Sequence, residues 1–70
     1  MAIVNLTTSA FTSIPAGLLQ FKGGAVELAD SATPAPGDFT EHQPGDLLVS
    51  SVAKFGRARG TGVTVVRAAI

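Results

Sequence analysis

Apolar and polar positions alternate in short runs punctuated by glycine and proline, the pattern of half-buried strands and tight turns. The clearest run covers residues 18–29, where two strand-like pieces flank Gly23-Gly24, a pair that suits a two-residue hairpin loop. Counting outward from that turn sets Lys22 against Ala25, Phe21 against Val26, Gln20 against Glu27 and Leu19 against Leu28. Side chains alternate faces, so Leu19, Phe21, Val26 and Leu28 share one side, while Gln20 and Glu27 share the other, with Lys22 diagonal to Glu27 and within pairing reach. A slip of one residue would scatter the apolar set over both faces.

The remaining segments read as further short strands. Residues 3–6 are β-prone, and the Thr/Ser-rich stretch after them suggests an extended arm over residues 1–13. Pro15 and Gly17 make a bend, and Pro34 and Pro36 keep residues 31–37 out of a sheet ladder. Residues 38–42 read as an edge strand with Phe39 inward, followed by a tight turn at Pro44-Gly45. Residues 47–55 admit a helix, capped by Asp46 and ended by Gly56, or a strand with Leu47 and Val49 on one face and a Ser-Ser turn before Val52. Strands are preferred, because the neighbours are β and a lone nine-residue helix is marginal. Gly60-Thr-Gly62 suits a hairpin loop before residues 63–70, where Val63, Val65 and Arg67 share one face and Thr64, Val66 and Ala68 the other. A strand apolar on both faces belongs inside a sheet or in a subunit interface. The expected fold is all-β: one small domain over residues 1–70, an antiparallel sandwich or barrel of about six short strands with an N-terminal arm.

Composition sharpens the picture. Seventy residues form a core that seldom supplies more than about 3–5 kcal/mol, and chains of this size usually add disulfides, a metal or association. Cysteine is absent and there is a single histidine, which leaves association. The chain is 46% hydrophobic and only 14% charged, so apolar surface is expected at an interaction site. A net charge of zero argues against general nucleic-acid binding, and no apolar run has the length of a membrane span. Nothing in the chain reads as a secretion signal.

Candidate chemistry is sparse. Gly60-Thr-Gly62 lacks the lysine and helix of a phosphate loop. Asp38, Glu41, His42 and Asp46 cluster in sequence without a ligand spacing, and His42 reads as a surface residue. Glu27 and Asp30 have structural roles, and no base is placed to activate Ser50 or Ser51, so neither catalysis nor a cofactor is expected. Charge order says more. Every acid precedes Lys54, Arg57, Arg59 and Arg67, so these bases either pair within the fold or meet an acidic neighbour. The expected interface residues are Lys54, Arg57 and Arg59 as polar contacts, with Val63, Val65 and Val66 as buried ones.

The run from Gly17 to Ala68 resembles small phage virion proteins of the head-decoration or cement type and structural modules of phage fibres. The resemblance lies in Gly17-Leu-Leu-Gln-Phe with its glycine turn, Ala25-Val-Glu-Leu-Ala-Asp-Ser with a following proline, Gln43-Pro-Gly45 before Asp46-Leu-Leu-Val, and Phe55-Gly-Arg-Ala before Gly-Thr-Gly-Val-Thr-Val. Residues 5–11 resemble their N-terminal segments, with Phe11 where tryptophan is common. The resemblance implies a non-enzymatic virion component, made in the host cytoplasm. It would form a homotrimer, seated on the capsid surface and bound to the major capsid protein. The alternative it leaves open is a tail or fibre module that binds a surface glycan.

Overall fold

The computed structural model describes residues 2–69. Among these residues the chain forms eight strands: β1 (Ala2–Asn5), β2 (Thr12–Ile14), β3 (Gly17–Lys22), β4 (Val26–Ala29), β5 (Thr40–His42), β6 (Leu47–Ser50), β7 (Lys54–Ala58) and β8 (Thr64–Ala68). They stack as two antiparallel four-stranded sheets, β1-β8-β3-β6 (sheet I) and β2-β7-β4-β5 (sheet II). The all-β sandwich is as expected; the strand count rises from about six to eight, and the sheets stay open at their edges instead of closing into a barrel. The N-terminal arm is a correction too. Residues 2–5 pair along β8, residues 12–14 pair along β7, and only the stretch between them is irregular. Met1 and Ile70, read as parts of the arm and the last strand, lie outside the described residues.

The hairpin at Gly23-Gly24 is overturned. β3 pairs with β6 and β8 in sheet I, whereas β4 pairs with β5 and β7 in sheet II. Residues 23–25 therefore arch from one sheet to the other, a gap of about 10 Å that a few extended residues span. The inward set survives: Leu19, Phe21, Val26 and Leu28 are all buried, facing one another across the sandwich. The Lys22–Glu27 pair does not survive, because these residues lie on opposite outer faces. Residues 59–63 likewise cross between sheets instead of turning a hairpin, and the two arches pack together. Gly23 has φ 87°, and a Cβ there would stand 2.3 Å from the Gly62 carbonyl oxygen.

Six of the seven connections change sheet; only β4 and β5 are consecutive neighbours. The core is filled from both sheets by Leu6, Ile14, Leu19, Phe21, Val26, Leu28, Ala58, Val63 and Val65, with Val4 and Leu48 against it. β8 is central in sheet I, as its two apolar faces suggested. The strand reading of residues 47–55 holds: β6 ends where the Ser50 hydroxyl donates to the Val52 carbonyl (2.6 Å), and β7 begins at Lys54.

The turn at Pro44-Gly45 is also as expected. Asp46 N–H donates to the Gln43 carbonyl, the Asp46 carboxylate accepts from Gln43 N–H, and Gly45 takes φ 91°. Phe21 bonds both residues 45 and 46, since Gly45 N–H donates to its carbonyl and its own N–H donates to the Asp46 carbonyl. Two residues opposite one make a glycine bulge that launches β6 along β3.

Candidate interaction surfaces

The two outer faces of the sandwich differ in chemistry. On sheet II the small residues of β7, Gly56 and Ala58, turn inward against Ile14, Leu6 and Val26, which forces Phe55, Arg57 and Arg59 outward. The register sets Arg57 opposite Glu27, and Glu27 opposite Glu41. Arg57 donates through Nε to Glu27 Oε1 (2.7 Å), and its Nη2 lies in ion-pair contact with the same oxygen (2.6 Å). Its guanidinium lies 4.6 Å from the Phe11 ring centroid and 5.9 Å from that of Phe39. The two rings tilt at 48° with centroids 6.3 Å apart. Arg59 pairs with Glu41, and Lys54 with Asp30.

Three of the four bases in the last seventeen residues are thus matched to acids of their own chain, and the fourth, Arg67, donates to the Ala16 carbonyl at 2.8 Å. This is the intramolecular pairing across the fold, and it takes up the charge that an acidic neighbour would otherwise meet. Phe39 is not inward as expected. Phe11, Phe39 and Phe55 are half-buried, and only Phe21 is in the core.

His42 faces inward beside Phe21, with ring centroids 5.0 Å apart, and its Nε2 lies 2.9 Å from the Thr40 hydroxyl; it is half-buried rather than a surface residue. Glu41 and Asp46 are likewise engaged, with Arg59 and with the turn backbone. A shallow open cleft of about 170 Å³ at the end of sheet II is lined by Asp30, Asp38, Phe39 and Lys54, among others, and its Lys54 and Asp30 already pair with each other.

On sheet I the outer face is apolar. Ile3, Val66, Gln20 and Leu47 form one row across the four strands, and Ala68, Leu18 and Val49 form the next. Ile3, Leu47 and Val49 are 67%, 65% and 63% exposed. Gln20 is the single polar residue within those rows; Asn5, Thr64 and Lys22 follow at one end. Of the six expected interface residues, Val63 and Val65 fill the chain's own core, Val66 lies mid-face on sheet I, and Lys54, Arg57 and Arg59 belong to sheet II. The sequence reading missed Ile3, Leu18, Leu47 and Val49 as surface residues. The signal was available in β6, where Leu47 and Val49 share a face opposite Leu48 and Ser50.

Fold and surfaces together describe a small β-sandwich with one apolar outer face and one outer face of internally paired charges. Compared with known proteins, the chain matches no family model, no curated protein and no solved structure.

Proposed function

We propose that this chain is a phage virion structural protein, a homotrimeric head-decoration or cement protein that seats the outer face of sheet I against the major capsid protein. The observation that carries the reading is that face, seven positions in two rows with one glutamine and no charge. Covering a side chain that is two-thirds exposed, such as Ile3, Leu47 or Val49, contributes about 1–2 kcal/mol, so a few of them per copy suffice for a firm contact. A standard contact takes about 800 Å² from each partner, a fifth of this chain's 3982 Å². Binding the assembled shell and not its separated parts stabilises the shell by mass action. The likeness to decoration proteins in residues 17–68 supports the same reading.

A tail or fibre module binding a glycan is favoured by one observation, the Phe11–Phe39 pair on sheet II. Against it, Arg57 already lies over both rings, and the rings are tilted rather than coplanar, so they do not form a flat platform. The test is location. Density for the chain on the heads of intact particles, with Val66→Lys at the centre of the face lowering co-sedimentation at least tenfold, is the expected result. A chain that never co-sediments with particles refutes both virion readings.

A further inference from the structure

Sheet I has two open edges, β1 and β6, and they are the undefended ones. On sheet II, edge strand β5 carries Glu41 and His42, and edge strand β2 runs directly into Pro15, both of which discourage pairing. β6 reads Leu-Leu-Val-Ser and β1 reads Ala-Ile-Val-Asn, with neither charge nor proline.

The backbone pattern shows which groups these edges present. Phe21 bonds toward β6, so by alternation Leu48 and Ser50 bond to β3, and the N–H and C=O groups of Leu47 and Val49 point away from the sheet. Leu6 N–H donates to the Val63 carbonyl, so Val4 and Ala2 bond to β8, and Ile3 and Asn5 present theirs outward. Ile3, Leu47 and Val49 are the same residues whose side chains stand exposed on the outer face.

We propose that copies of this chain associate head to tail, β6 of one pairing antiparallel with β1 of the next, Leu47 opposite Asn5 and Val49 opposite Ile3. This rests on the self-association in the function proposed above and names its surface. All four residues of β6 then meet all four of β1. Because sheet I is antiparallel throughout with an even number of strands, the joined strands run in opposite senses and the inner and outer faces stay continuous. Val49 and Ile3 become cross-strand neighbours, and the apolar rows run on from copy to copy. A two-fold β6–β6 contact would leave Ile3 and the β1 edge open. The head-to-tail contact matches both edges, and closes when the rotation per copy returns to the start.

The test is complementation in purified protein, read by mass in solution. Val49→Pro removes an outward N–H that no strand of its own sheet uses, and Ile3→Lys charges the other edge. The unmodified chain is expected as a closed oligomer and each variant as a folded 7.1 kDa monomer. A mixture of the two variants is expected to form a heterodimer of twice that mass, joined by the intact β6 of one and the intact β1 of the other. Circular dichroism checks folding, and Val49→Lys replaces the proline variant if that one unfolds. An unmodified chain that is monomeric at micromolar concentration, an Ile3→Lys variant that still self-associates, or a mixture that stays monomeric overturns the proposal. Particle binding is read separately. An unmodified chain that is monomeric in solution and still binds heads would refute this contact and leave the virion reading standing; a complementing pair from a chain never found on particles would do the reverse.

Discussion

Arg57→Met should be among the most damaging changes outside the core. Arg57 gives a hydrogen bond through Nε to Glu27 Oε1 and holds Nη2 in ion-pair contact with the same oxygen, and Glu27 is itself buried beneath the guanidinium and the flanking strands. Breaking a fully buried ion pair from one side costs about 3–5 kcal/mol, because the remaining charge is stranded away from water. A third of the Arg57 side chain meets solvent, and screening there reduces the share of the pair to about 1–2 kcal/mol. Losing the cation over Phe11 and Phe39 adds about 0.5–1 kcal/mol. The total of about 2 kcal/mol corresponds to a fall in melting temperature of roughly 8–16 °C for a domain of this size. The double variant Glu27→Leu with Arg57→Met removes both charges and leaves two apolar side chains against the phenylalanines, so it should recover most of the loss. Urea unfolding of the single and double variants, at one fixed protein concentration so that association does not move the midpoint, measures the cycle. A cost under about 0.5 kcal/mol for Arg57→Met, or a double variant no more stable than the two singles added together, would refute this account of the outer face.

Three further outcomes follow from the packing. Phe21→Ala, in the fully buried centre, should cost about 3–5 kcal/mol, comparable to the whole stability of a chain this size, and circular dichroism at 25 °C should show it largely unfolded. Gly23→Ala places a methyl group against the Gly62 carbonyl at a positive φ and should lower the unfolding free energy, read from urea titration, by more than the about 1–2 kcal/mol of left-handed backbone alone. Asp30→Asn, at the exposed end of its pair with Lys54, should stay within about 0.5 kcal/mol of the parent by the same measurement.

Much of this was legible in the chain, and the illegible part has one physical origin. The alternation of Leu19 and Phe21, and of Val26 and Leu28, identified four core residues, because inside and outside follow from strand parity alone. It did not identify their partners. A short glycine loop serves equally a hairpin within one sheet and an arch between two, and the same residues point inward in both. Phe55 teaches a second lesson. It shares strand parity with Arg57 and Arg59, so the arginines pointed to an outward Phe55, while Gly56 and Ala58, which look like weak core residues, fit the narrow space beside Ile14 and Leu6. Parity likewise marked Val63 and Val65 as buried without saying what buries them; the core of their own chain does, while Val66 stands on the outer face of sheet I.

The position of β8 also bears on the order of events as the polypeptide is made. β1 and β3 are bridged by β8, the last of the eight described strands, so sheet I has a gap at its middle until residues 64–68 leave the ribosome. Among the described residues β8 is the only strand that pairs with β1, so β1 has no sheet I neighbour until then. Completion of sheet I must await residues 64–68, and the earlier segments stay open to capture in the meantime.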